Sequence, residues 1–332
     1  MSLLERYDAL LFDLDGTVYR GEQAIDSAPD AVAAAHRAGV TVRFVTNNAS
    51  RGPDEVARHL TDIGIPAEPA EVSTSAQAAA KVLADNLADN DNGNGNGTVL
   101  VLGSPALERE VELVGLRHTR TAGDDVVAVV QGLSKDLGWR DLAEACVALN
   151  AGAFWVACNV DPSLPTERGL LPGNGSLVAA LRTATGREPV VAGKPAIPLM
   201  AEALRSAGTD RALAIGDRLD TDIDGAVAAG LDSLLVLSGV TTAAGLLAAR
   251  TRPTYLAADV AAIGEPARRL AVGAQPDWDL DGDTIVHRGT GEPDALSLLR
   301  VLAAGEPGRR AVPGDDAARA ALAHLGLPDG LA

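Results

Sequence analysis

The run Leu10-Leu11-Phe12-Asp13-Leu14-Asp15-Gly16-Thr17 sends two carboxylates off the end of a short apolar segment, followed by a glycine that permits a sharp turn. In open α/β sheets ligands bind beyond the carboxyl ends of the strands, so an acid pair there is placed for chemistry. Two acids two positions apart can divide the labour. One can be a nucleophile that forms an acyl-phosphate, the other a proton donor and acceptor. A plain acidic turn after a strand has the same text, and the rest of the chain decides between the two readings.

Three further segments shift the balance. Phe44-Val45-Thr46-Asn47-Asn48 sets a hydroxyl and backbone amides at another strand end, groups suited to phosphate oxygens. Ala192-Gly193-Lys194-Pro195 puts one of only three lysines (with Lys81 and Lys135) before a helix, where an ammonium offsets charge on a nucleophile and a phosphate. Ile215-Gly216-Asp217-Arg218-Leu219-Asp220-Thr221-Asp222 adds carboxylates after a third strand. A hard cation such as Mg2+ takes oxygen ligands, usually one or two carboxylates with water and phosphate. Singly, Thr46 reads as a cap and Lys194 as a surface lysine. In this order, each beside a strand, they read as one site.

These four segments resemble the four motifs of the haloacid dehalogenase superfamily of phosphatases. Thr46-Asn47-Asn48 and Gly216-Asp217-Arg218-Leu219-Asp220-Thr221-Asp222-Ile223 are most similar to its NagD/4-nitrophenylphosphatase branch, which includes phosphoglycolate and glycerol-phosphate phosphatases. The resemblance covers about residues 7–262. It implies an α/β fold with a Rossmann-like parallel-sheet core (1–80 plus 189–265), a large inserted α/β cap (81–188) and a small C-terminal extension (266–332). Thr46 and Lys194 are 148 positions apart, room enough for such a cap.

Carried over position by position, the resemblance makes Asp13 the nucleophile and Asp15 the acid and base. Mg2+ would be held by Asp13, by the Asp15 carbonyl and by Asp217, while Asp222 orders a metal-bound water or Lys194. Thr46, Asn47, Asn48 and Lys194 would hold the phosphoryl oxygens. Substrate choice would sit in the cap, where Asn159, Asp161 and Arg168 can hydrogen-bond hydroxyls or a carboxylate; as polar residues around Pro162 and Pro165 they also read as turn formers. The acid at Asp15 favours a phosphatase over a dehalogenase, because halide leaves unprotonated and an alkoxide needs a proton. Phosphomutases keep both acids, and the long cap disfavours them. The expected activity is Mg2+-dependent hydrolysis of a small phosphomonoester, glycerol phosphate or phosphoglycolate ahead of a sugar phosphate. The alternative is a metabolite-binding or regulatory protein on the same scaffold, with the extension as its working part.

The elements that must position these residues alternate between strand and helix. Residues 9–12, 40–45, 99–102, 126–130, 154–157, 212–215 and 233–237 are short apolar or β-branched runs. Residues 28–38, 53–63, 106–114, 142–150, 198–207 and 223–229 carry helical patterns, several closed by glycine. Such alternation implies parallel sheets covered by helices. Residues 85–97 are low-complexity and read as a surface loop. Asp277 to Thr284 echoes both the nucleophile motif and a calcium loop. Yet no apolar strand leads into Asp279, and position twelve of a calcium loop would be Arg288, so a hairpin around an Asp-Gly turn is expected. Helices are expected over 295–303 and 315–325. Packing on the core, dimerisation and effector binding all remain open for this tail.

With 28 basic and 45 acidic residues the net charge is −17, which argues against gripping nucleic acid or an anionic membrane over a broad face. No run approaches 18 apolar residues and the N-terminus lacks a signal-peptide pattern, so a cytoplasmic protein is expected. The implied partner is a small phosphorylated metabolite, with a homodimer through the cap as the assembly to consider. Cys146 and Cys158 form no metal pair, and none of the five histidines falls in a motif.

Overall fold

The apolar run ahead of Asp13 is a strand, Ala9–Phe12, buried at every position. It pairs in parallel with Ala212–Gly216, Phe12 opposite Ile215. That strand pairs with Asp232–Val236, which pairs with Tyr255–Ala257. Near-continuous burial along these strands is the signature of a parallel sheet covered on both faces. The computed structural model describes residues 1–90, 97–166 and 168–330. The chain divides into two units, one of Met1–Val42, Ile63–Pro66 and Ala207–Ala332, the other of Arg43–Asp62 and Ala67–Ser206. The division runs through the strand Thr41–Thr46.

In the first unit the helix Ala28–Arg37 buries Ala28, Ala31, Val32 and Ala35 on one face, and Gly39 with φ of 71° ends its turn. The expected tail elements are present. Trp278–Asp281 and Thr284–His287 form an antiparallel hairpin whose two-residue turn begins with Gly282 at φ of 63°. The acidic stretch is therefore a hairpin, and Asp279 is ion-paired with Arg288 at 3.0 Å. The helix Ala295–Ala303 is buried almost all round, as a helix apolar on every side must be. Leu298, Leu299 and Leu302 join Leu235, Leu246 and Leu256 in one hydrophobic cluster. Buried Arg300 donates its Nε to the Leu256 carbonyl at 2.9 Å, capping the edge strand. The tail thus packs on the core.

The second unit holds a five-stranded parallel sheet in the order Val190–Val191, Phe154–Ala157, Val126–Gln131, Thr98–Leu102, Arg117–Thr119. The helices Trp139–Asn150 and Asn174–Thr185 cover one face through Leu149, Val178 and Leu181. A hairpin, Ser163–Thr166 with Gly169–Pro172, lies between sheet strands in the sequence.

Two expectations change. The helix Ser75–Asn90 runs well into the segment read as a loop from residue 85. Ala79, Leu83 and Leu87 keep a four-residue spacing, and Lys81 pairs with Asp85 one turn on, so helical pattern outweighs Asn and Asp composition there. Residues 91–96 of that segment lie outside the described residues. The helix expected from 223 begins earlier: one π-helical turn, Leu219–Ile223, precedes Asp224–Ala228.

Candidate active site

Asp13 follows its strand directly, its N–H donating to the Ile215 carbonyl at 2.8 Å. That bond brings it beside Gly216 and Asp217 at the end of the neighbouring strand. The π-helical turn then swings Asp222 back, and its Oδ2 accepts the Arg218 N–H at 3.0 Å. As a result Asp13, Asp217 and Asp222 present carboxylate oxygens that all lie within 4.8 Å of one another. Asp217 and Asp222 are buried, while Asp13 is half-buried and Asp15 exposed. Asp220 points elsewhere: a hydrogen bond from Arg218 holds its carboxyl below the usual range.

Three like charges so close repel by at least about 3.5 kcal/mol per pair at an effective dielectric near 20. A hard divalent cation relieves this, and an all-oxygen donor set suits Mg2+. The surroundings leave Asp217 no choice of place. Gly16, at φ of 91°, approaches so closely that a Cβ would stand 2.5 Å from Asp217 Oδ2, and a Cβ on Gly239 would stand 2.0 Å from the same oxygen. The Val240 N–H donates to Asp217 Oδ2 at 2.6 Å. Ser238 Oγ donates to the Gly16 carbonyl at 2.8 Å, and the Arg20 guanidinium donates to the Ser238 carbonyl. The loop Ser238-Gly239-Val240 was missed in the sequence. Its one signal is a Ser-Gly pair at a strand's carboxyl end.

In the second unit Thr46 is buried at the end of its strand, and its Oγ1 accepts the Asn48 N–H at 3.1 Å. Asn48 is exposed and closes a local turn, its Oδ1 accepting from the Ser50 N–H and hydroxyl. Lys194 is 2% exposed and its Nζ donates to the Val45 carbonyl at 3.1 Å. Asn47 is bound to it: the Lys194 N–H donates to Asn47 Oδ1 at 2.7 Å, and Asn47 Nδ2 donates to the Lys194 carbonyl at 3.0 Å. The same Nδ2 reaches Asp161 Oδ2 at 3.2 Å. Asn159 donates from Nδ2 to the Asn47 carbonyl at 2.7 Å, and its Oδ1 accepts the Asp161 N–H at 3.2 Å. Asn47, Asn159, Asp161 and Lys194 thus form one network, which Ser75 joins through its hydroxyl on the Asn47 carbonyl. Arg168 stands apart on the exposed hairpin turn. Cys158 is fully buried, and burial pushes its thiol far up, which removes it as a nucleophile.

The sequence model described as haloacid dehalogenase-like hydrolase matches residues 10–117, and a second, HAD-hydrolase-like, matches residues 191–263. The chain is 47% identical to a D-glycerol 3-phosphate phosphatase of Mycobacterium tuberculosis, over 98% of this chain and 96% of that one. A crystal structure of a glycerol phosphate phosphatase from the same organism, in complex with magnesium, superposes with a TM-score of 0.90 at 48% identity and 99% coverage of both chains. A thermostable p-nitrophenylphosphatase from Bacillus stearothermophilus gives 0.68 at 35% identity, covering 78% of this chain and 98% of its own. The chain belongs to the haloacid dehalogenase superfamily, in its NagD/4-nitrophenylphosphatase branch, and is a phosphatase with Mg2+ as cofactor.

Proposed function

We propose that the chain hydrolyses a small phosphomonoester, glycerol 3-phosphate first, phosphoglycolate second and a sugar phosphate behind them, through an aspartyl-phosphate on Asp13. The observation that carries the substrate class is the match to the mycobacterial glycerol phosphate phosphatase, which runs through cap and tail alike.

In this reading the Asp13 carboxylate attacks phosphorus in line, and the bond to the leaving alkoxide breaks. Asp15 gives that alkoxide its proton, then takes one from the water that attacks the acyl-phosphate and releases Asp13. Its exposure suits a group that must reach both leaving group and water. Thr46 and Lys194 hold phosphoryl oxygens, as a hydroxyl and an ammonium at strand ends can. Asp13, the Asp15 carbonyl and Asp217 hold the metal, with Asp222 behind them. When bound, Mg2+ supplies charge neutralisation and alignment of the phosphoryl group. Arg168, exposed on the hairpin of the cap segment 81–188, selects among substrates with Asn159 beside it, while Asp161 is turned to Asn47. The core is 1–80 plus 189–265, and 266–332 is an added structural layer.

The net charge of −17 supports a reading without nucleic acid. No helix among the described residues is long and apolar enough to cross a membrane, which accords with work in the cytoplasm. A homodimer through the cap is the assembly to test by sedimentation.

Specificity constants across glycerol 3-phosphate, phosphoglycolate, sugar phosphates and nucleoside monophosphates, with and without EDTA, test the proposal. Glycerol 3-phosphate is expected to lead by at least tenfold, and EDTA to abolish turnover. Asp13→Asn retaining activity would overturn the mechanism, and a nucleotide preference would overturn the substrate.

A further inference from the structure

We infer that Asn47 is a positioning residue for Lys194, and that Asp161 acts on the reaction through Asn47 rather than on the substrate. The inference rests on the phosphatase reading above and adds to it how the ammonium is held.

The geometry is a two-point clamp. One primary amide accepts the Lys194 N–H at 2.7 Å and donates to the carbonyl of the same residue at 3.0 Å. This is the pairing one residue of a β-ladder makes with another, supplied here by a side chain 147 positions away. The clamp fixes the backbone from which the buried Lys194 side chain departs toward the Val45 carbonyl. An amide can be flipped, and here two neighbours forbid it. The Lys194 N–H needs an acceptor, and the Asp161 carboxylate, 3.2 Å from Nδ2, needs a donor. Asn159 fixes the other side by donating to the Asn47 carbonyl at 2.7 Å. Gly193 is part of the fit: a Cβ there would stand 2.5 Å from the Cys158 carbonyl oxygen and 2.6 Å from Asn47 Oδ1.

The consequence is specific. With both ends of its amide engaged, Asn47 contributes by placing a charge. A misplacement of about 1 Å in a catalytic group lowers rates by about 10²-fold. Toward Asn47, Asp161 is a hydrogen-bond acceptor, a part that an amide oxygen in its place also plays.

The test measures kcat and KM for glycerol 3-phosphate in six proteins: wild type, Asn47→Ala, Asn47→Asp, Asp161→Asn, Lys194→Ala and the Asn47→Ala/Lys194→Ala pair. Asn47→Ala is expected to lower kcat by about 10²-fold. The double variant should be no worse than about threefold below Lys194→Ala, because a clamp without its lysine has nothing to place. Asn47→Asp, nearly isosteric, should be as slow as Asn47→Ala, since its second oxygen faces a carbonyl and a carboxylate. Asp161→Asn still offers Asn47 an acceptor and should keep kcat and KM within threefold. Thermal unfolding of each variant identifies loss of fold; if Asn47→Ala does not fold, Asn47→Asp and Asp161→Asn carry the test. Full multiplicativity of the Asn47 and Lys194 losses overturns the clamp. A rise of tenfold or more in KM for Asp161→Asn overturns the indirect role and makes Asp161 a substrate ligand. Wild type inert toward every phosphomonoester would overturn the parent reading instead, before any variant is compared.

Discussion

Replacing Asp217 by Asn separates the two consequences of a crowded carboxylate cluster. Asp217 is fully buried, with Asp13 and Asp222 oxygens inside 4.8 Å. Each like-charged pair at that distance costs about 3.5 kcal/mol at an effective dielectric near 20. The amide that replaces the carboxylate must itself be buried and hydrogen-bonded, which limits the relief from removing one charge. We expect metal-free Asp217→Asn to be more stable than metal-free wild type by about 2 kcal/mol, the usual direction when a functional site loses strain. Asn keeps an acceptor for the Val240 N–H, now at 2.6 Å, so the cradle survives. With Mg2+ the order should change. A ligand at 100 times its Kd stabilises by about 2.7 kcal/mol, a gain the variant should largely forfeit. The assay is thermal unfolding of both proteins in EDTA and across a Mg2+ titration. The variant should melt higher in EDTA, and its Mg2+-induced shift should be less than half that of wild type. A variant that melts lower in EDTA and shifts as far with Mg2+ would refute the assignment of this cluster to the cation.

Two other outcomes follow from burial. Leu298 is fully buried in the cluster shared by tail and sheet, so Leu298→Ala should cost about 2–5 kcal/mol in urea unfolding; a cost below about 1 kcal/mol would mean that the tail is not part of the core. Burial raises the Glu110 carboxyl above its usual range, so its folded value exceeds its unfolded one. Its burial then costs nothing below pH about 4, where both states hold the proton, and destabilises progressively as pH rises through the folded value. Glu110→Gln should therefore raise the melting temperature at pH 7 and leave it unchanged at pH 4, each tenfold difference in proton affinity between the folded and unfolded chain corresponding to about 1.4 kcal/mol. Equal effects at both pH values would refute the burial argument.

Much of the fold is legible because parallel strands buried on both faces read as continuous apolar runs, as in Ala9–Phe12 and Ala212–Gly216. Helix ends at Gly39 and Gly64 are legible because only glycine takes the positive φ found there without strain. The helix Ser75–Asn90 was less so, since Asn and Asp composition masked an apolar spacing that packing could use. The hairpin at Gly282 was readable from its turn, and the burial of the tail behind it was not.

The sequence alone determined which groups are available for the proposed chemistry and in what order: Asp13, Asp15, Thr46, Lys194, Asp217 and Asp222, each at the end of a strand or in the segment that follows it. These are local facts, fixed by residue type and spacing. Only tertiary structure decided what each polar atom is used for. It turned Asn47 onto Lys194, spent the Asn159 amide on the Asn47 carbonyl, closed Asn48 on Ser50, and built a glycine-lined cradle around Asp217 from Gly16 and Gly239. The reason is that hydrogen bonds and steric approach act over about 3 Å, between atoms such as Ser238 Oγ and the Gly16 carbonyl oxygen, which the chain separates by 222 positions.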